Sequence, residues 1–148
     1  MNRLTRWCAR LSRCFGDDAG LLIRAMTWRL LLPLLKRLVP LRVLVRFAAA
    51  DHRRTGRTAM PSVVRLMDEG GRLVLSKNCL ERSLVLYRFL SEAGAGPSLI
   101  MGVSPTDCRV AGHTWVELDG EPVRDASARQ FTPIIVFGPT GEARPSTG

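Results

Sequence analysis

An α+β fold is the expectation from three patterns: a Leu- and Arg-rich helical stretch over the first third, an apolar helix opening at Cys79, and an alternating segment, Val110–Leu118, that runs into Asp119-Gly120. Helical periods come first and strand periods last. That order predicts helices packed on one side of an antiparallel sheet of about three or four strands. A chain of 148 residues can bury one real core but leaves little room for appended modules. The expected division is a basic helical region and connector over 1–57, a core over 58–137 and a disordered tail over 138–148.

In the N-terminal third, Leu4–Phe15 reads as one short helix, and residues Gly20 to Ala50 read as helical but broken by Pro33 and Pro40. Arg24, Arg29, Lys36, Arg37, Arg42 and Arg46 interrupt the apolar run, and the longest uncharged stretch after Trp28 is Leu30 to Leu35. That is far short of the roughly 20 apolar residues a spanning helix needs. Two readings stay open: a helical cap on the core with solvent-facing arginines, or a basic amphipathic surface resting on anionic lipid. The formal charge is +9, from 22 Lys and Arg against 13 Asp and Glu. Nucleic acid is not the expected partner, because the basic residues interleave with Leu and Val and no helix-turn-helix, zinc finger or stacking motif is present. An acidic peptide, a partner protein or a membrane face fits the charge better.

Asp51 to Ala59 is a polar connector in which His52 is expected to be solvated, and Pro61 opens a short helix through Met67 that ends at Gly70-Gly71. The four cysteines, Cys8, Cys14, Cys79 and Cys108, have no zinc-site spacing, and no metal site is expected. Nor is there a secretory signal with a small-residue cleavage site, so the expected compartment is the reducing cytosol. Cys8, Cys14 and Cys108 are read as non-catalytic.

Cys79 stands apart from the other three. Asn78 can cap a helix and Glu81 can close a capping box, which makes Cys79 the first helical residue. Leu80, Leu84 and Tyr87, widened by Leu86, Phe89 and Leu90, form the buried stripe until Gly94 supplies a left-handed stop. A thiol at a helix N-terminus meets the positive end of the macrodipole and free N–H groups, which favour thiolate and can hold an oxyanion. The competing reading is a buried cysteine acting as a small hydrophobe.

The strand Val110–Leu118 puts His113 and Trp115 on one face. A thiol nucleophile needs an imidazole for proton transfer, and the imidazole needs an orienting partner, for which Asp125 on the returning strand is placed. Register decides whether they meet. A strict two-residue turn at Asp119-Gly120 pairs Leu118 with Glu121 and sends His113 and Asp125 to opposite faces. A three-residue loop, Leu118-Asp119-Gly120, sets His113 directly opposite Asp125. The expectation is therefore the three-residue loop or a compensating bulge. Asp107 and Asp119 are weaker candidates, both turn-like. Trp115 can pack behind the triad or wall a peptide cleft. Phe131 to Phe137 reads as a further strand, placed at an edge by Pro133.

Taken together, Asn78-Cys79-Leu80-Glu81-Arg82-Ser83-Leu84-Val85-Leu86-Tyr87, Gly94, Leu99–Val103, His113-Thr114-Trp115-Val116-Glu117-Leu118-Asp119-Gly120 and Val123-Arg124-Asp125 resemble the transglutaminase-like cysteine peptidases of lasso-peptide biosynthesis. Within that group the chain is similar to the short, split form that lacks its own leader-recognition domain. The resemblance is close over residues 60–137 and looser before them; one departure is Thr114, where Ala is commoner. It implies a papain- and transglutaminase-type core and a Cys79, His113, Asp125 triad that needs no cofactor. Asn78 and Trp115 are the oxyanion and cleft candidates. It also implies leader removal from a ribosomally made precursor, with a separate leader-binding protein and an ATP-using cyclase as partners. The place of action is the cytoplasm, including the inner face of the membrane if the basic helices rest on it. Alternatives from other classes are acyl transfer to an amine, and a non-enzymatic adaptor in which Cys79 is only a core residue.

Overall fold

The computed structural model describes residues 19–49, 60–69, 78–106 and 109–146. Among these residues four helices, α1 (Ala19–Leu38), α2 (Leu41–Ala49), α3 (Met60–Glu69) and α4 (Cys79–Glu92), precede the strands β1 (Ser98–Thr106), β2 (Arg109–Leu118), β3 (Glu121–Pro122), β4 (Thr132–Phe137) and β5 (Ala143–Pro145). The strands form one antiparallel sheet in the order β3-β2-β1-β4-β5. The fold is α+β, as the segregation of periods predicts. The helix expected over Leu4–Phe15, the connector with His52, and Cys8, Cys14, Asp107 and Cys108 lie outside the described residues.

Pro33 does not break the first helix. Helix α1 continues through it, because Leu21, Ala25, Trp28 and Leu32 recur at helical spacing and are buried, and that burial outweighs the lost backbone hydrogen bond. The second expected break holds, since Pro40 separates α1 from α2. Helix α1 runs antiparallel to α4, and ion pairs join Arg24 to Glu92 and Lys36 to Glu81. Glu92, fully buried, also meets Arg88 Nε at 3.3 Å.

One core joins the helices to one face of the sheet. Leu32, Leu44, Val45, Val63, Leu84, Tyr87, Phe89 and Leu90 pack with Leu99, Val116 and Phe137. The opposite face carries a smaller cluster in which Ile100, Trp115 and Ala128 pack with Phe131 and Val136. Helix α4 ends as expected: Gly94 takes φ 77°, its N–H bonds Ser91 O, and Ala95 N–H bonds Leu90 O, the paired closure of a Schellman motif.

Two expectations about the C-terminal part are corrected. Residues 138–145 are not a disordered tail; Gly138 to Glu142 close a turn, and β5 pairs with β4 from Ala143 to Pro145. That turn packs on α2, with Gly141 close against the backbone of Arg46, and Tyr87 Oη donates to Gly138 O at 2.5 Å. Nor is β4 an edge strand, being flanked by β1 and β5. Pro133 is tolerated because β5 reaches only residues 135–137, and the β1–β4 register shifts between Met101 and Gly102 where Pro133 pairs.

Candidate active site

The nucleophile candidate sits where its capping signal places it. Asn78 is the N-cap of α4, and its side-chain oxygen accepts from Leu80 N–H at 3.0 Å and Glu81 N–H at 3.4 Å. Half-buried Cys79 is the first helical residue. Asn78 engages the N–H groups of Leu80 and Glu81, so its side chain leaves the Cys79 N–H, another first-turn donor, unused by the cap. Glu81, the expected capping-box partner, forms the ion pair with Lys36.

The hairpin reaches the expected meeting of His113 and Asp125 by a different route. The loop is not three residues long: Leu118 pairs with Glu121 and Glu117 with Pro122, so Asp119-Gly120 is a strict two-residue turn. Both turn residues take left-handed φ, 50° and 82°, as a type I′ turn requires. Val123 N–H still bonds Val116 O, and that register alone would send Asp125 to the wrong face. Arg124 prevents this. Its φ of 52° breaks the extended run, and the chain enters a 3-10 turn at Ala126–Gln130 with Asp125 as its cap. His113 Nε2 and Asp125 Oδ2 then lie 2.8 Å apart, both side chains largely buried.

Three groups hold the Asp125 carboxyl. Ser127 Oγ donates to Oδ1 at 2.5 Å, Arg82 Nη2 donates to Oδ2 at 2.6 Å, and His113 shares Oδ2. Burial favours the protonated acid, but the Ser127 and His113 hydrogen bonds and the charges of His113 and Arg82 outweigh it and hold the carboxyl below its ordinary value. An ionised carboxylate only accepts, so His113 Nε2 carries the shared proton. In the neutral imidazole, Nδ1 then holds the lone pair available as a base.

Arg82 ties the two halves of the site together. It lies one helical turn after Cys79 and, with Ser83, faces the sheet: Ser83 Oγ donates to Thr114 O at 2.8 Å while Arg82 reaches Asp125. Further along α4, Tyr87 contacts Gly138 beyond the end of β4. The helix therefore points its N-terminus toward the His113 end of β2. Among the described residues the thiol makes no hydrogen bond to the imidazole.

Trp115 lies behind His113. The residue is 2% exposed, its indole N–H donates to Glu117 Oε1 at 2.8 Å, and its ring stacks on the imidazole at 6.0 Å with Phe131 nearer at 4.8 Å. It also lines an open pocket of about 310 Å³ with Glu117, Pro122, Arg129 and Phe131. Asp119 is confined to the turn. Sequence reasoning missed Arg82, Ser127 and Phe131. Arg82 had a usable signal, standing at the i+3 position from Cys79. No group of three or more His, Cys, Asp or Glu among the described residues is arranged to hold a metal ion.

The model of the family described as Transglutaminase-like superfamily matches residues 22–136, more than three quarters of the chain. No curated protein and no solved structure matches.

Proposed function

Because the chain belongs to the transglutaminase-like superfamily, whose members are generally cysteine peptidases or acyl transferases, we propose that it is a cysteine peptidase that removes the leader from a ribosomally made lasso-peptide precursor. The observation that carries the thiol chemistry is the shared Asp125 oxygen. It accepts from His113 on the base side and from Arg82, one turn from Cys79, on the nucleophile side. The leader-removal assignment rests on the motif resemblance around Cys79 and His113.

In the proposed reaction His113 Nδ1 takes the Cys79 proton, and sulfur attacks the carbonyl carbon of the amide joining leader to core. In this reading the Cys79 N–H donates to the oxyanion. As the tetrahedral species collapses, His113 returns the proton to the amide nitrogen, the C–N bond breaks, and the core leaves as a free amine. Water then attacks the thioester carbonyl carbon while His113 takes its proton; the C–S bond breaks, the proton on His113 returns to the Cys79 sulfur, and the leader leaves as an acid that ionises to the carboxylate. Asp125 keeps Nε2 protonated and the ring oriented throughout.

The partners that suit this reaction are a separate leader-binding protein and an ATP-using cyclase that consumes the freed amine, with the reaction set in the cytosol. The second reading keeps the thioester and replaces water by an amine. It is favoured by the family's breadth alone, and the two products differ in mass. A third reading, a non-enzymatic adaptor, makes Cys79 inert toward alkylation. The test is incubation of the precursor with wild-type chain or Cys79→Ala, with and without the leader-binding protein, read by mass spectrometry. Free leader and core are expected from wild type only; cleavage that persists in Cys79→Ala overturns the proposal.

A further inference from the structure

Helix α1 carries apolar residues on two opposite sides. Leu21, Ala25, Trp28 and Leu32 are buried in the core. At 3.6 residues per turn, the pole facing away from them is formed by Ile23, Leu30, Leu34 and Leu38, each more than half exposed. A surface helix ordinarily turns a polar face to water. From Ile23 to Leu38 this stripe extends about 22 Å along the axis. Helix α2 repeats the pattern, exposing Val43 and Phe47 next to Arg42 and Arg46.

The charge within α1 and α2 themselves has one sign. Residues 19–49 contain six Lys and Arg and no Asp or Glu. Arg24 and Lys36 reach inward to Glu92 and Glu81, while Arg37, Arg42 and Arg46 are exposed next to the apolar side chains. Leu and Phe flanked by arginine, without acidic residues, match a helix seated at the boundary of acyl chains and anionic headgroups. Protein interfaces also enrich arginine, but they centre on aromatic and Met anchors inside a polar rim, whereas the outward pole of α1 is Ile and Leu alone. No helix among the described residues is long and apolar enough to cross a membrane, so contact through this face would be peripheral.

We propose that the outward face of α1, continued by the exposed residues of α2, rests on an anionic lipid surface, with Leu30 and Leu34 in the acyl boundary and Arg42 at the phosphates. The proposal is independent of the peptidase assignment. Its test is sedimentation of the full chain with vesicles of phosphatidylcholine alone or mixed with phosphatidylglycerol, at low and high salt. Wild type should bind the mixed vesicles and release in salt. Leu30→Gln with Leu34→Gln should weaken binding about tenfold or more, and Arg42→Gln about fivefold. All three positions are exposed, so circular dichroism should report unchanged folding. The paired Leu variant should also keep any precursor cleavage measured in solution, which separates this proposal from the function above. Binding to neither vesicle, equal binding by wild type and the Leu pair, self-association through the stripe, or capture of an acidic protein in place of lipid would each overturn it.

Discussion

Removing Arg82 tests whether α4, which opens at Cys79, is registered against the His113–Asp125 pair. In Arg82→Met the long apolar stem survives, while the donor 2.6 Å from Asp125 Oδ2 is lost. Breaking a buried ion pair typically costs about 3–5 kcal/mol. Here the cost should be lower, because the Arg82 side chain is 34% exposed and Asp125 keeps its bonds to Ser127 and His113. After discounting for solvent screening, about 1–2 kcal/mol is expected. In a double-mutant cycle by urea denaturation with Asp125→Asn, the coupling energy should fall in the same range of about 1–2 kcal/mol. The kinetic effect should be larger than stability alone implies. A slip of the helix end by about 1 Å relative to His113 should lower kcat by roughly 10²-fold, with KM little changed. Additivity of the two substitutions within about 0.3 kcal/mol, together with unchanged kcat, would refute the registering role.

Three further outcomes follow from the geometry. In Gly102→Ala the new Cβ would lie 2.7 Å from both Thr132 O and the Trp115 ring; a loss of about 1–3 kcal/mol in denaturation is expected, with activity falling because Trp115 stacks on His113. Asn78→Ala removes the acceptor for two N–H groups and should cost about 1 kcal/mol, measured by thermal melting. Asp125 has a folded-state pKa depressed from 3.8, so ionisation favours the folded state. The stability margin of wild type over Asp125→Asn should be fully present above about pH 5, and should shrink as pH falls through the unfolded value near 4 toward the lower folded value. Melting temperatures across that range check the sign; a margin that grows on acidification would contradict it.

What was legible in the sequence was what short-range chemistry decides. Asn78 and Gly94 bound α4 because a cap and a left-handed stop act within a few residues, and Cys79 opens the helix for that reason. The pairing of His113 with Asp125 was legible as a requirement, but the means was not. Arg124 adopts φ 52°, which a non-glycine residue seldom takes and no local pattern announces. Helix α1 runs through Pro33 because core burial by Trp28 and Leu32 overrides a local breaker. The strand β5 has the Pro- and Gly-rich composition of a tail, while its order comes from pairing with β4 and from contact of Gly141 with α2, which is distant in sequence. Arg82 and Ser127 escaped for the same reason: their carboxylate partner is fixed only once the hairpin and α4 have docked.

In the proposed reaction Cys79 forms a covalent acyl intermediate with assistance from His113. Acid quenching of the chain with precursor, followed by intact-mass measurement and peptide mapping, tests it most directly. The expected result is a mass increase equal to the leader acyl group, located on Cys79, removed by hydroxylamine and absent from both Cys79→Ala and His113→Ala. Cleavage that proceeds at full rate in Cys79→Ala, or an acyl group trapped on a residue other than Cys79, would contradict it.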